Sequence, residues 1–357
     1  MNLVWPPPTA PGTLQSVMKM FSGIVAGFAL GFTLVTSLAQ DPAPIPTRAQ
    51  ALAALQSVMG PFPNLARGPV PMRVVTETQH DGYVLQDIRY RSEPGDKPGV
   101  EVPAYLLIPR PVPADGSRKR AVLALHQTHA AGRKVVAGLG ESPDDEYGVE
   151  LVKRGYVVLA PAYPLLADYS PDVLGLGHAS GTMKAIWDNV RGIDLLMGLG
   201  FVSTNGVAVI GHSLGGHNGL FTAAFDERIR VVVTSCGFDS FRDYYDGNPA
   251  VWGEERGWCQ LRYMPGLRAY QGRLEALPFD FTDVLAAIAP RAVWVNAPKG
   301  DSNFRWQSVD RVVDRVRPLW ERAGRPDRLE VVHPDHGHRF APAERHRAYA
   351  VIARELN

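Results

Sequence analysis

Apolar and polar residues alternate along residues 73–78, 83–91 and 100–108, with Asp81-Gly82 and Pro94-Gly95 between them. A period of two bounded by turn residues predicts strands that join a sheet antiparallel. Beyond residue 120 the pattern changes. Short, almost wholly apolar runs at 121–125, 156–160, 207–210, 231–235, 292–296 and 329–332 alternate with helical stretches at 144–154, 181–199, 214–225, 281–288, 307–322 and 343–355. Such runs suit strands buried on both faces, and their alternation with helices suits a doubly wound, mostly parallel sheet. The expected class is α/β, with antiparallel strands at the N-terminal side of the sheet.

Two intervals depart from this rhythm. Residues 237–280 lie between a strand and the next helix and hold Phe238, Phe241, Tyr244, Tyr245, Trp252, Trp258, Tyr263, Tyr270 and Phe279. A connection this long in a compact domain usually serves function, and after a strand's carboxyl end it covers the crevice where α/β proteins bind ligands. It reads as an inserted lid or substrate wall, with Tyr244, Trp252 and Trp258 as candidate substrate contacts. The other interval is the N-terminus. Lys19 is the only charge before Asp41, and residues 20–39 are apolar and small, ending in Ser37-Leu38-Ala39. This reads as a secretory signal cleaved after Ala39, hence a secreted or periplasmic protein. An uncleaved membrane anchor is the competing reading, since about 20 apolar residues can span a bilayer. Residues 40–71 read as a Pro/Ala-rich linker with an edge helix at 48–58, and residues 72–357 as one α/β domain with the insertion at about 237–280.

Composition narrows the function. Thirty-seven Lys and Arg against 36 Asp and Glu leave a net charge of +1, which gives no footprint for nucleic acid or an anionic membrane. The two cysteines, Cys236 and Cys259, read as buried free thiols, although export would permit a disulfide.

The candidate chemistry centres on Gly211-His212-Ser213-Leu214-Gly215, which follows an apolar strand and opens a helix. That is the context of the G-x-S-x-G nucleophile elbow, a strained turn that exposes the serine Oγ. The bland alternative is a Gly-rich turn with a capping serine. A serine hydroxyl needs a base, and the base needs an orienting acid. In this fold the chain order is serine, acid, histidine. His338, after the last strand with Gly337 before it, is the expected base, with His336 as runner-up; His217 sits too close on the elbow helix. Asp301 is the only carboxylate in the loop after the 292–296 strand and is the expected acid, with Asp239 after the preceding strand as the alternative. Backbone N–H groups of Leu214 and Gln127 are the expected oxyanion donors. His126 and Thr128 brace that loop or line the pocket. No cofactor or metal is indicated, because His333, His336 and His338 lack a zinc-binding spacing and the elbow already explains one of them.

These residues carry a resemblance. Leu125-His126-Gln127-Thr128, Gly211-His212-Ser213-Leu214-Gly215-Gly216-His217, Asp301-Ser302-Asn303-Phe304, Gly337-His338, and the segments 181–189 and 221–229 resemble α/β-hydrolases of the dienelactone hydrolase and acetylxylan-esterase-like group, secreted bacterial members included. The resemblance spans roughly residues 70–357. It implies the α/β-hydrolase fold and a serine hydrolase acting on carboxylic esters; with export, acetyl esters of plant polysaccharide are the expected substrates. A serine in place of the cysteine of true dienelactone hydrolases speaks against dienelactone itself. The rivals are a peptidase or amidase of the prolyl-oligopeptidase-like group on the same triad, and a non-catalytic binding module. The sequence is silent on oligomeric state.

Overall fold

A computed structural model describes residues 44–357, apart from Pro98, Ala114, Glu255 and Arg256. The expected signal segment lies outside the described residues. From Ile45 onward the chain forms one compact unit.

Helix α1 (Arg48–Met59) starts at a capping box, Thr47 accepting from Gln50 N–H while the Gln50 side chain accepts from Thr47 N–H. It is the expected edge helix, one residue longer than the sequence suggests. Strands β1 (Met72–His80), β2 (Tyr83–Arg91) and β3 (Glu101–Pro109) form an antiparallel flank. Then come β4 (Lys119–Leu125), α2 (Tyr147–Lys153), β5 (Val157–Pro161), α3 (Gly181–Gly198), β6 (Val202–His212), α4 (Leu214–Phe225), β7 (Ile229–Ser235), α5 (Phe281–Ile288), β8 (Ala292–Asn296), α6 (Trp306–Arg322), β9 (Leu329–Val332) and α7 (Pro342–Leu356). The nine-stranded sheet runs β1-β2-β3-β5-β4-β6-β7-β8-β9. The six strands from β5 to β9 in that order are parallel, and β3 joins β5 antiparallel.

Alternate side chains of each central strand enter opposite cores. On β4, Leu123 and Leu125 pack with residues of α1, α3, α4, α5 and α6, whereas Val122 and Ala124 pack with α2 and α7. Burial on both faces is why these strands read as unbroken apolar runs. β6 starts earlier than the sequence suggests. Its polar first half, Ser203 to Gly206, looks like a turn, yet Val202 pairs with Lys119 before a register shift. β1 is the opposite case, exposed along its whole length at the sheet's edge.

Candidate active site

Ser213, Asp301, His338 and the His126–Thr128 segment follow the carboxyl ends of parallel strands β6, β8, β9 and β4, the face on which open α/β sheets bind ligands. β6 delivers Ser213 with φ 52° and ψ −121°, a backbone state that non-glycine residues avoid. The turn persists because its surroundings leave no alternative. A Cβ on Gly211 would stand 2.2 Å from the Gly215 carbonyl carbon, and one on Gly215 only 1.9 Å from the Leu125 carbonyl oxygen. Ser213 precedes α4 but its hydroxyl makes no capping hydrogen bond, which removes the bland reading of the motif.

The expected acid and base sit on two loops joined side by side. Ala297 N–H donates to Val332 C=O (2.9 Å), Lys299 N–H to Pro334 C=O (3.0 Å) and Gly300 N–H to His336 C=O (3.1 Å), so pairing continues past β8 and β9. At its end His338 Nδ1 lies 2.9 Å from both carboxylate oxygens of Asp301. Asn303 and Phe304 N–H groups donate to the same carboxylate at 2.7 and 3.2 Å. Burial alone raises an acid's pKa; here the His338, Asn303 and Phe304 donors outweigh it, and the Asp301 carboxyl lies below the usual range. The His338 ring packs 4.9 Å from the ring of His212, the residue before Ser213.

The other candidates are placed elsewhere. His333 is committed on both nitrogens, to Ala297 C=O (2.8 Å) and Asp310 (2.9 Å). His336 faces its own turn, its Nδ1 2.9 Å from Gly337 C=O. His217 is 1% exposed, stacked on Trp258 at 4.5 Å, and burial lowers its pKa to about 3. Among the described residues, Asp239 accepts one hydrogen bond, from Arg305 N–H (3.1 Å), and its second oxygen has no partner. Burial raises its pKa to about 8.

The loop after β4 supplies the other side of the site. Tyr163 N–H donates to His126 Nε2 at 3.1 Å. A backbone N–H can only donate, so Nε2 is the acceptor and Nδ1 carries the proton, donated to Gln127 C=O at 2.8 Å. Burial holds this imidazole neutral, with a pKa of about 4. His126 is therefore a brace, and of the two roles read from sequence the pocket-lining one is set aside. Among the described residues, neither Gln127 N–H nor Leu214 N–H donates to a backbone carbonyl. The close pass of Gly215 over Leu125 C=O brings these two loops together.

Residues 237–280 form four short 3-10 turns. Their aromatics mostly point inward. Trp252 is 1% exposed and packs on Phe241, so it belongs to the core rather than to a substrate wall. Trp258 is also buried, wedged among His217, Tyr244 and Tyr263. Tyr244 is half-buried and packs on Phe304 at 5.6 Å, beside the Asp301 loop. Thr128 is exposed, its hydroxyl 3.4 Å from that of Tyr263. Tyr263, half-buried beside Thr128, was not singled out in the sequence; nothing in its spacing distinguishes it from its buried aromatic neighbours. Both cysteines are free and buried.

Among the described residues, the one grouping able to hold a metal is Cys236, Asp301 and His338, with donor atoms within 4.8 Å of one another. It is the Asp301–His338 pair with a thiol near it. No helix among the described residues is long and apolar enough to cross a membrane.

Sheet order, the Ser213 turn and the placement of the Asp301 and His338 loops define the α/β-hydrolase fold. Residues 172–324 match the sequence model of the fungal glucuronyl esterase family. A glucuronoyl esterase from Solibacter usitatus superposes with a TM-score of 0.66 at 17% identity, covering 87% of this chain and 92% of its own. Acetyl xylan esterase 1 from Thermoanaerobacterium gives 0.56 at 16%, covering 88% and 96%. The Bacillus subtilis protein YtaP, whose own assignment as a hydrolase is provisional, is 22% identical over 334 residues, which is 87% of this chain and all of YtaP.

Proposed function

We propose that this chain is a serine esterase that hydrolyses carboxylic esters of carbohydrates through Ser213, His338 and Asp301. The observation that carries the reading is the His338–Asp301 pair at the ends of β9 and β8, on the same sheet edge as the strained Ser213 turn. With Nδ1 committed to Asp301, Nε2 is the nitrogen left to take the Ser213 proton. Ser213 Oγ then attacks the ester carbonyl, and Leu214 and Gln127 N–H groups hold the developing oxyanion. His338 returns the proton to the leaving alcohol. Water, deprotonated by the same imidazole, releases the acid and restores Ser213. Asp301 keeps the tautomer and stabilises the imidazolium.

Two kinds of relative support a carbohydrate ester as substrate: one named for glucuronoyl esters, the other for acetyl xylan. We also place the protein outside the cytoplasm, with residues 1–39 as a cleaved signal; an N-terminus at Gln40 in secreted material tests this. For the chemistry, the test is p-nitrophenyl acetate turnover. Ser213→Ala should lower kcat by a factor on the order of 10⁶. Full activity in that variant would sink the mechanism. Equal turnover of matched amides would replace an esterase with an amidase.

A further inference from the structure

We propose that Arg262, with Tyr263 and Thr128, forms a carboxylate-binding subsite beside the loop after β4, so that the favoured esters carry a free carboxylate near the scissile bond. This rests on the esterase reading above and names its substrate class.

The backbone of this segment is strapped to the start of α3. Gly181 N–H donates to Leu261 C=O (2.8 Å), Thr182 N–H to Tyr263 C=O (3.1 Å) and the Tyr163 hydroxyl to Arg262 C=O (3.0 Å). Tyr163 is also the residue whose N–H fixes His126, so the strap and the loop after β4 share one support. Tyr263 packs against the cluster containing Leu214, and its hydroxyl reaches Thr128. A carbonyl held by Leu214 and Gln127 N–H groups therefore has Tyr263 as a neighbour.

Arg262 lies over Tyr263, its guanidinium carbon 5.9 Å from the ring centre. The side chain is half-buried, and its Nε is shielded from water with no acceptor. Among the described residues no carboxylate pairs with it. The three arginines buried more deeply each have carboxylate partners: Arg133 has Asp87 and Asp168, Arg345 has Asp144 and Glu150, and Arg191 has Asp194; the half-buried Arg291 is held by backbone carbonyls instead. A partly desolvated guanidinium beside a reaction centre is suited to an anionic acceptor, and its planar fork fits a carboxylate.

The test compares wild type, Arg262→Gln and Arg262→Lys on three probes. p-Nitrophenyl acetate is neutral, 4-acetoxybenzoate carries its carboxylate on the alcohol side, and mono-p-nitrophenyl succinate carries it on the acid side. For one anionic probe, the ratio of its kcat/KM to that of p-nitrophenyl acetate should fall about tenfold or more in Arg262→Gln, through KM, and recover in part in Arg262→Lys. The probe affected tells which side of the ester holds the anion. Unchanged ratios for both probes overturn the subsite. A second arm does not depend on turnover: glucuronate titrated into Ser213→Ala and into Ser213→Ala/Arg262→Gln. Binding only with Arg262 present, weakening with salt, supports the subsite; equal binding to both, or to neither, overturns it. If wild type fails to turn over p-nitrophenyl acetate, the esterase reading falls, while the titration still decides the subsite.

Discussion

The loops after β7 and β8 start alike and end differently. Each leaves a parallel strand and carries an aspartate, and either position can serve a histidine base in principle. Asp301, after β8, meets three donors: His338 Nδ1 and the N–H groups of Asn303 and Phe304. Asp239, after β7, is 2% exposed and meets one, Arg305 N–H. Both are desolvated, yet one carboxyl stays below the usual range and the other rises to about 8. Burial is common to both; His338 and two backbone donors hold Asp301 down, whereas Asp239 has one backbone donor and the neighbouring Asp243 and Asp280 carboxylates push it up. At neutral pH Asp301 can stabilise an imidazolium, and Asp239, protonated, cannot.

The largest consequence is kinetic. Asp301→Asn should lower kcat on p-nitrophenyl acetate by roughly 10³- to 10⁴-fold, because the amide favours the wrong imidazole tautomer. Asp239→Asn replaces a protonated acid with a near-isostere and should stay within about twofold. Reversed outcomes would move the acid's role to the β7 loop.

Stability against pH gives the next contrast. His126, His212 and His217 are held neutral by burial, with pKa values of about 4, 3 and 3 against an ordinary 6.5. A basic group with a depressed folded pKa favours the folded state above its unfolded pKa and loses that stability as pH falls below it. Asp239, with a raised pKa, works the other way, its stability falling as pH rises from 3.8 through about 8. Between pH 6 and 4 unfolding therefore takes up three protons at the imidazoles and releases one at Asp239. These four groups alone should lower stability by on the order of 3 kcal/mol per unit of acidification. Urea melts at pH 6.5, 5.5 and 4.5 check this; a flat profile would mean that the imidazoles are already charged or hydrated in the folded protein.

Asp239→Asn isolates the opposing term. The variant's stability relative to wild type should rise from pH 4 to about 8 and level off above, reaching on the order of a few kcal/mol. A difference that does not change with pH would show Asp239 ionised throughout, and would weaken the contrast with Asp301.

Much of this was legible in the sequence, for identifiable reasons. Elements with one strong signal end where expected: α4, α5, β8 and β9 carry clear periodicity or uniform apolarity. The elbow was legible because its glycines answer a local backbone demand. Asp301 was legible because its loop holds no other carboxylate. The aromatic interval was not, since an aromatic without a regular period signals burial and substrate contact equally; Trp252 went to the core and Tyr263 to a half-buried place beside Thr128. Motif residues can mislead too. Lys184 and Asp188, inside the 181–189 segment that carries the family resemblance, form a fully buried pair. Glu93 lies 3.3 Å from Lys184 and 2.7 Å from His178. That cluster fastens the β2–β3 loop to α3, and sequence gives no way to separate it from a site.

The smallest predicted effect refines the comparison, because the β7 loop does reach the acid–base pair, through Cys236 rather than Asp239. Cys236 directly follows β7 with φ 49°; its sulfur lies within 4.8 Å of donor atoms of Asp301 and His338, and its S–H donates to Arg339 C=O at 3.7 Å. Burial, with Asp301 beside it, raises its pKa well above the ordinary thiol value, so it stays S–H and can act only as a weak donor. Cys236→Ser keeps a donor of similar size at the same backbone conformation; Cys236→Ala keeps the conformation and loses the donor. Neither variant changes what Asp301 receives from Asn303, Phe304 and His338. The serine variant should therefore match wild type within about twofold in kcat, and alanine should fall by a few-fold, the size of one weak hydrogen bond. Alanine and serine losing activity equally would mean that the sulfur's volume matters rather than its proton. Neither losing any would mean that Asp301 is fully held by its own loop and His338, and that the β7 loop contributes only packing.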